Sequence, residues 1–350
     1  MAIQATSVQD MYEQMKEKLH NVVPDVELQI QAEIAYEVNR IKAEKNAVIL
    51  GHNYMEPALF HSIPDFVGDS LALSRLAAET EKDIIVFCGV EFMAETAKIL
   101  NPTKKVLVPS DKAGCSLAAS ITAQDVRDLK ARFPGVPVVT YVNTYADVKA
   151  ECDICCTSGN AVAVVESLES ETVIFVPDEY LAKNVAQETG KRIIVPTQQK
   201  ATIHFEDNVD FDMVGWNGRC EVHEQFNVED ITMVREQFPG VTILAHPECS
   251  PEVVAASDFS GSTTAMIRHV EETDAPQYLL LTECSMGDNI VAANPDKEML
   301  GLCNVRCPHM NQITLEDTLN ALRYERYEVN VPEEILVRAA LSVERMIAIG

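Results

Sequence analysis

Cysteines are the residues of this chain best suited to chemistry, because thiolates bind soft metals and act as nucleophiles. The 350 residues include ten cysteines. The N-terminus lacks the basic start and apolar stretch of a secretion signal. We therefore expect a reducing, cytoplasmic compartment, where thiols bind metals, take part in catalysis or fill cores, and structural disulfides are the less favoured interpretation.

Two local cysteine groups have spacings that are common in metal sites. They are CDICC, from Cys152 to Cys156, and CNVRC, from Cys303 to Cys307. A metal cluster needs several thiolates that converge on one point. CDICC, however, ends an apolar strand, where small thiols often only fill space.

An internal repeat selects a different set of cysteines. Three segments begin with an apolar strand that ends in polar residues, and each continues with an acidic residue and a hydroxyl, a helical stretch, a second apolar strand and a turn with one cysteine. The strands are AVILGHNYMEP, VPVVTYVNTYAD and VTILAHPECSP; the acidic segments begin at Asp65, Asp153 and Asp258; the turn cysteines are Cys115, Cys220 and Cys307.

The spacings within this repeat agree with one another. The strand-end residues His52, Val142 and His246 are 90 and 104 positions apart. The helix-start hydroxyls Ser70, Ser158 and Thr263 are 88 and 105 positions apart, whereas the turn cysteines are 105 and 87 apart. An insertion around KATIHFEDNVDFDM, in the second unit, accounts for all three sets.

Strands that alternate with helical stretches predict right-handed βαβ units and parallel sheets. The predicted fold class is therefore α/β, with three homologous αβα lobes and parallel sheets around a pseudo-threefold axis. The predicted divisions are an N-terminal helical extension (1–45), a first lobe (46–120), a second lobe (121–235) with the insertion near 200–215, a third lobe (236–325), and a C-terminal helix packed on the lobes (326–350).

Ligands of such folds bind beyond the carboxyl ends of the strands, so one turn cysteine from each lobe would meet at the axis. Three thiolates hold a four-iron cluster while leaving one iron without a protein thiolate, and that iron can act as a Lewis acid. The alternative is that Cys115, Cys220 and Cys307 are three unrelated core residues.

Charge and hydropathy exclude some classes of partner. The net charge is −26, from 28 basic and 54 acidic residues. Such a surface repels nucleic acid and anionic lipid, so no nucleic-acid or membrane partner is expected. The sequence contains no run of about 18 apolar residues, so no membrane span is predicted.

Ten motifs in order resemble those of the quinolinate synthase family: HNYMEP, DFVGDSL, AGCSLA, YVNT, CCTSGNAV, GRCEVHE, HPEC, GSTTAMI, TECSM and CPHM. The resemblance runs from about Ala47 to Arg323. It implies three αβα lobes around one 4Fe-4S cluster held by Cys115, Cys220 and Cys307. It also implies condensation of iminoaspartate with dihydroxyacetone phosphate to quinolinate, phosphate and water, in the biosynthesis of NAD. Possible partners are an L-aspartate oxidase and the iron–sulfur assembly machinery.

The resemblance and the strand-end positions together suggest a role for each site residue. Glu248 is the expected general base, and His52, His246, Tyr54 and Tyr141 are expected to take part in catalysis. The expected substrate-binding residues are His52, Ser70, Tyr141, Asn143, Ser158, His246, Glu248, Ser262 and Thr263. Simpler roles compete with each assignment: a surface salt bridge for the carboxylate, packing for the aromatic rings, and helix capping for the hydroxyls.

Three alternatives to this function stay open. One is another cluster-dependent hydro-lyase, and the others are an iron–sulfur carrier built on CDICC and CNVRC, and a zinc-stabilised binding module. Cys249, Cys284 and Cys303 are extra thiols near the expected site. The resemblance leaves open a redox-sensitive cysteine pair that includes Cys303, but a buried thiol is favoured. His223 follows Cys220 by three residues, but we do not include it among the expected site residues.

Overall fold

The computed structural model describes residues 2–199, 202–204 and 210–350. Part of the insertion predicted near 200–215, namely positions 200, 201 and 205–209, lies outside these residues. Strand β9 (Thr197–Gln199) precedes the insertion, and it forms an antiparallel pair with β10 (Thr202–His204), which lies within it.

The remaining elements alternate along the chain as the repeat predicts. The first part contains α1 (Val8–Leu19), α2 (Asp25–Glu44), β1 (Ala47–His52), α3 (Pro57–Phe60), β2 (Phe66–Gly68), α4 (Ser70–Glu79), β3 (Ile84–Cys88), α5 (Glu91–Leu100) and β4 (Lys105–Leu107). The second contains α6 (Ala123–Arg132), β5 (Val138–Tyr141), α7 (Ala146–Lys149), β6 (Ile154–Cys156), α8 (Ala161–Glu166), β7 (Val173–Val176), α9 (Glu179–Glu188), β8 (Ile193–Ile194) and β11 (Met213–Val214). The third contains α10 (Val228–Gln237), β12 (Val241–Ala245), α11 (Pro251–Ala256), β13 (Phe259–Ser260), α12 (Thr263–Glu272), β14 (Gln277–Leu281), α13 (Cys284–Ala293), α14 (Leu315–Tyr324) and α15 (Glu333–Ile347).

The strands form three parallel sheets, which confirms the predicted α/β class with three αβα lobes. The strand orders are β2-β1-β3-β4, β6-β5-β7-β11-β8 and β13-β12-β14. The central strands are buried along most of their length, as expected for sheets covered on both faces. The strands of each sheet come from one of the three predicted lobe ranges, while the exact boundaries stay a prediction.

One acidic residue has the same backbone contacts in every lobe. Asp65 accepts a hydrogen bond from the N–H of Ile49 at 2.8 Å, and its own N–H donates to the Ile49 carbonyl at 2.9 Å. Asp153 makes the same pair of bonds with Val138. Asp258 makes them with Ile243. These bonds join the first strand of each lobe to the connection before the next strand, and they support the internal repeat.

The same contacts correct the predicted alignment of the second lobe by one position. Since Ile49, Val138 and Ile243 are equivalent, the residue that corresponds to His52 and His246 is Tyr141, not Val142. Side chains alternate between the two faces of a strand, so a shift of one residue would have turned the wrong side chain toward the site.

The helix after each turn cysteine packs on the following lobe. Helix α6 contributes Val126 and Leu129 to the core around the second sheet, and α10 contributes Ile231 and Val234 to the core around the third. Helix α14 contacts α2 and β3, so it closes the series by packing on the first lobe. Each turn cysteine is therefore held between two neighbouring lobes.

Helices near the two ends of the chain pack outside the three sheets, and the predicted bounds of these terminal parts stay a prediction. Helices α1 and α2 pack against each other and bury Met11, Met15 and Leu28. Helix α15 contacts α5, α7 and β6 and buries Ala339 and Val343. No helix in the described part of the chain is long and apolar enough to cross a membrane.

Candidate active site

One cavity lies at the carboxyl ends of the strands and is lined by all three lobes. The last residues of β1 and β5 and the loops after β1, β5 and β12 supply its central polar side chains, and helix starts and the cysteine turns complete it. The predicted residues that line it are His52, Tyr54, Ser70, Cys115, Tyr141, Asn143, Ser158, Cys220, His246, Glu248, Thr263 and Cys307. Ser262 is the one predicted site residue that does not line it.

The three turn cysteines have equivalent surroundings. Each is followed by a short 3₁₀ helix, at Ala118–Ser120, His223–Gln225 and Met310–Gln312. The carbonyl of each cysteine accepts a hydrogen bond from the N–H four residues later, at 3.0, 3.0 and 3.1 Å. The repeat therefore extends to the backbone that presents the sulfurs.

Metal-free thiols at these positions hold their protons. Burial raises the pKa of Cys115 to about 12 and that of Cys307 to about 11, and it raises the pKa of Cys220 well above its ordinary value. Two backbone N–H groups, those two and three residues after each cysteine, act in the opposite direction and favour each thiolate. A metal bound to these sulfurs would have to displace the protons.

Glu248 is fully surrounded by hydrogen-bond donors. The Tyr141 hydroxyl donates to Oε1 at 2.5 Å, and Nδ2 of Asn143 donates to the same oxygen at 3.3 Å. Nδ1 of His223 lies 2.7 Å from Oε2. Burial by itself raises the pKa of Glu248, but the charge and hydrogen bond of His223, together with His246 and Tyr141, bring it below its usual range. Glu248 is therefore a carboxylate, not the exposed salt-bridged group of the simpler interpretation.

His52 and His246 are neutral and share one orientation. Nδ1 of His52 accepts the Tyr54 N–H at 3.2 Å, and Nδ1 of His246 accepts the Glu248 N–H at 3.3 Å. Burial lowers the pKa of His52 to about 4 and that of His246 to about 3. With Nδ1 as the acceptor, each neutral ring carries its hydrogen on Nε2, so each is a hydrogen-bond donor for a ligand.

Two tyrosines contribute hydroxyl groups that stay protonated. Burial, and next the negative charge of Glu248, raise the pKa of Tyr54 and of Tyr141 well above the ordinary value. Tyr54 also contacts the Thr282 hydroxyl at 2.5 Å. Neither ring serves only as packing, because both hydroxyls belong to the polar network of the cavity.

His223 is a cavity residue that the sequence did not select. Its Nδ1 lies 3.2 Å from the Cys220 sulfur, and its ring stacks on His246 with centroids 4.6 Å apart. The signal was its place three residues after Cys220, on the first turn of a 3₁₀ helix, which returns the ring toward the sulfur. The Cys220 sulfur and ligand atoms of His223 and Glu248 lie within 4.8 Å of one another, so they could hold a metal ion.

Helix starts supply neutral groups for an anion. Ser70 begins α4 and Thr263 begins α12, and backbone N–H groups at such ends favour negative charge. Thr263 Oγ1 accepts from Asn53 Nδ2 at 2.9 Å, which leaves its own hydrogen for a ligand. Among the described residues that line the cavity there is no lysine or arginine.

Ser262 is a helix cap in this structure, and its predicted role in substrate binding stays a prediction. Its Oγ accepts the Ala265 N–H at 3.3 Å and donates to Oδ2 of Asp69 at 3.0 Å. The hydroxyl is therefore occupied by the protein. This was the competing explanation for all the helix-start hydroxyls, and it holds for this one.

Neither local cysteine group lines the cavity as a set, because Cys307 is the one member of the two groups that lines it. Cys152 Sγ donates to the Val148 carbonyl at 3.1 Å, and Cys155 Sγ contacts Ser342 Oγ at 3.4 Å. Cys303 forms a disulfide with Cys284, so the expectation of a buried free thiol at Cys303 was wrong. The spacing CNVRC gives no indication of this disulfide, because its other cysteine, Cys284, lies 19 residues before Cys303, at the start of α13.

Fold and site together define a three-lobed α/β protein with a thiolate- and carboxylate-lined cavity where the lobes meet. A family model described as "Quinolinate synthetase A protein" matches residues 36–348. The chain is 51% identical over 333 residues to quinolinate synthase 2 of Mesorhizobium japonicum, covering 95% of this chain and 96% of the relative. It is 52% identical over 335 residues to the quinolinate synthase of Caulobacter vibrioides, and this match covers 95% of this chain and 86% of the relative. The chain belongs to the quinolinate synthase family.

Proposed function

We propose that this chain is an enzyme that condenses iminoaspartate with dihydroxyacetone phosphate to quinolinate, with release of phosphate and water, in the biosynthesis of NAD. One observation carries the proposal: three equivalent cysteines, one from each lobe, line the cavity that holds the hydrogen-bonded carboxylate of Glu248. The family membership supplies the reaction, and the cavity contains residues suited to it.

The proposed cofactor is one 4Fe-4S cluster on Cys115, Cys220 and Cys307. Their sulfurs fit this group because each cysteine is half-buried and interacts with two backbone N–H groups that favour a thiolate. When bound, such a cluster has one iron without a protein thiolate, which supplies a Lewis acid for substrate oxygens. The iron–sulfur assembly machinery would load it.

Both substrates are anions, and the cavity meets them with neutral donors. The Nε2–H groups of His52 and His246 and the hydroxyls of Ser70, Ser158 and Thr263 are available to carboxylate and phosphate oxygens. The amino ends of α4 and α12 add favourable backbone dipoles. Neutral donors bind an anion without the strong ion pairs that would hold back the released phosphate.

The proton transfers are assigned to Glu248 and its neighbours. Condensation requires removal of a proton from carbon, and Glu248 is a buried carboxylate within the cavity. Tyr141 and Asn143 donate to one of its oxygens and His223 to the other, so its position is fixed before substrate binds. An L-aspartate oxidase would supply the labile imine.

A mononuclear metal enzyme is the second candidate, favoured by the cluster of ligand atoms from Cys220, His223 and Glu248. It would leave Cys115 and Cys307 without a metal. The carrier function built on CDICC has less support, because Cys152 and Cys155 contact Val148 and Ser342 instead of the cavity.

An anaerobic assay tests the proposed function. The protein is purified without oxygen, its iron and sulfide are measured, and it is incubated with dihydroxyacetone phosphate and iminoaspartate generated from aspartate. We expect quinolinate, together with about four iron and about four sulfide per chain. A loaded enzyme that forms no quinolinate would contradict the reaction. Zinc, or one iron without sulfide, would favour the mononuclear site.

A further inference from the structure

A buried asparagine of the second lobe holds the backbone of the third lobe on both sides of Glu248. Asn184 lies on α9, and its Nδ2 donates to the carbonyls of Pro247 and Cys249 at 2.8 and 3.0 Å. The Asn184 side chain is buried and does not line the cavity. It therefore supports the loop that carries Glu248 without touching a ligand.

A second buried asparagine makes the same contacts one lobe further on. Asn289 lies on α13 in the third lobe, and its Nδ2 donates to the carbonyls of Asn53 and Met55 at 3.2 and 2.9 Å. These two residues flank Tyr54. Asn289 is also buried and does not line the cavity. The two amides have equivalent partners, because Tyr54 and Glu248 each follow the strand-end histidine of their lobe by two residues.

The positions of the two asparagines agree with the internal repeat. Asn184 lies eight residues after Val176, the last residue of β7, and Asn289 lies eight residues after Leu281, the last residue of β14. The helices that carry them pack across the lobe boundaries in the same way, since α9 contacts α11 of the third lobe and α13 contacts α3 of the first. The amides therefore belong to a contact that recurs from lobe to lobe.

The remaining lobe boundary has the same packing with a different donor. Helix α5 contacts α7 of the second lobe. The position equivalent to the asparagines, eight residues after the end of β3, is Thr96, whose hydroxyl donates to a carbonyl of its own helix at 2.7 Å. The Thr144 carbonyl, which corresponds to that of Cys249, accepts from Nζ of the fully buried Lys149. Since a buried carbonyl without a donor costs free energy, each lobe supplies a donor at this point.

The loop held by Asn184 begins after the histidine that precedes it. The N–H of His246 donates to the Leu281 carbonyl of its own sheet at 3.3 Å. The chain then turns, and the N–H of Cys249 donates to the His246 carbonyl at 2.9 Å. Loss of the Asn184 amide would therefore free the backbone on both sides of Glu248 and leave the backbone of His246 attached to the sheet.

We propose that Asn184 and Asn289 are positioning residues: each amide fixes one active-site side chain of another lobe, Glu248 and Tyr54 respectively, by holding the carbonyls on both sides of it. This inference rests on the proposed function, since it concerns residues assigned to that reaction. A base must lie within reach of the proton that it removes, and a small displacement lowers the rate more than the affinity. Turnover therefore depends on two amides that do not touch the substrates.

Replacement by leucine keeps the approximate volume of the asparagine and removes the donor. In the anaerobic assay, with rates expressed per loaded enzyme, we expect Asn184→Leu and Asn289→Leu each to lower kcat about 10- to 100-fold and to change KM less than about threefold. Asn184→Ser should lose less, because a hydroxyl can still donate to one of the two carbonyls. Thr96→Val, at the equivalent position of the first lobe, is the matched control and should keep at least about half of the wild-type kcat.

Double variants show which side chain each amide positions. In Glu248→Gln the base is already lost, so adding Asn184→Leu should lower kcat by less than about threefold more, whereas adding Asn289→Leu should lower it by its full factor. In Tyr54→Phe the pattern should be reversed. Losses that multiply in all four combinations would show a general structural effect and overturn the inference. Wild-type turnover in either leucine variant would overturn it too.

The outcomes distinguish this inference from the proposed function. Wild-type enzyme that is loaded but forms no quinolinate overturns the function, and the inference with it. Active wild type beside fully active leucine variants overturns the inference alone. If a leucine variant does not fold or does not bind iron, the serine variant at the same position takes its place in the double variants. Failure of the serine variant to fold as well would assign that asparagine to stability and contradict the positioning role.

Discussion

The hydroxyl of Tyr141, at the end of the central strand of the second lobe, donates to Oε1 of Glu248 in the third lobe across 2.5 Å. Tyr141 stands where the other lobes have His52 and His246. The neutral histidines each carry an N–H on Nε2, whereas the tyrosine at this position donates its hydrogen to the Glu248 carboxylate. The repeat is therefore chemically asymmetric, and under the proposed function it supplies both substrate donors and a support for the base.

Tyr141→Phe should lower kcat/KM about 10- to 100-fold, because a hydrogen bond to a charged group is lost. It should also raise the pKa of Glu248, since one of the donors that stabilise the carboxylate is gone. A base works only when ionised, so the acidic limb of the kcat/KM profile should move to higher pH. Comparison with wild type across pH checks both effects, and Tyr36→Phe, outside the cavity, is the control. An acidic limb that stays in place would contradict the link between Tyr141 and the base.

Glu248→Gln should retain the iron and sulfide of the wild type and lose about 100- to 1,000-fold in kcat, because the amide cannot accept the substrate proton. The measurements are metal analysis and quinolinate formation on the same preparation. Glu252→Gln, on the exposed side of α11, should behave like wild type. Full activity in Glu248→Gln would show that another group is the base.

Buried neutral histidines should make the fold sensitive to acid. The unfolded chain takes up a proton at His52 below its ordinary pKa of 6.5, whereas burial lowers the folded pKa to about 4. Stability from this residue is therefore complete above pH 6.5 and is lost as the pH falls toward 4, by on the order of 3 kcal/mol.

His52→Asn should remove this loss, since the Asn oxygen can still accept the Tyr54 N–H. Unfolding free energies at pH 6.5 and pH 4.5 should differ less in the variant than in wild type. His20→Asn, at an exposed position, is the matched control and should resemble wild type. An equal fall in His52→Asn and wild type would contradict the buried neutral state.

Ser262 and Thr263 are neighbours with different expected effects. Ser262→Ala should lower the free energy of unfolding by about 1 kcal/mol through loss of the helix cap, with a small change in KM. Thr263→Val should raise KM about tenfold and change stability less, because its hydroxyl hydrogen is available to a substrate oxygen. Urea unfolding and steady-state kinetics measure the two effects. The reverse pattern would exchange the two roles.

The sequence was sufficient for the fold class because strand and helix patterns repeat three times, and the repeat locates Cys115, Cys220 and Cys307. It was less accurate where one residue decides which face a side chain occupies, as at Val142 and Tyr141. The bonds between Ile49 and Asp65, and their counterparts in the other lobes, fixed that register. Such bonds join residues 15 or 16 positions apart and leave no local pattern.

Contacts between residues of different lobes were the hardest to predict. Thr282 contacts Tyr54, which is 228 positions earlier, and His223, which is 59 positions earlier. Nothing in the local sequence of Thr282 shows these partners. The Cys284–Cys303 disulfide was not predicted for a similar reason. Its cysteines are 19 residues apart, whereas the spacing of Cys303 and Cys307 suggests a local pair.

The proposed cluster is held by thiolates from three lobes. The direct measurement is anomalous diffraction at the iron edge from crystals of the anaerobically loaded enzyme, beside iron and sulfide analysis of cysteine variants. We expect an iron bonded to each of Cys115, Cys220 and Cys307 and one iron without a protein thiolate. We also expect loss of the cluster in Cys115→Ala but not in Cys152→Ala. A single metal on Cys220, His223 and Glu248, with Cys115 and Cys307 unligated, would contradict it.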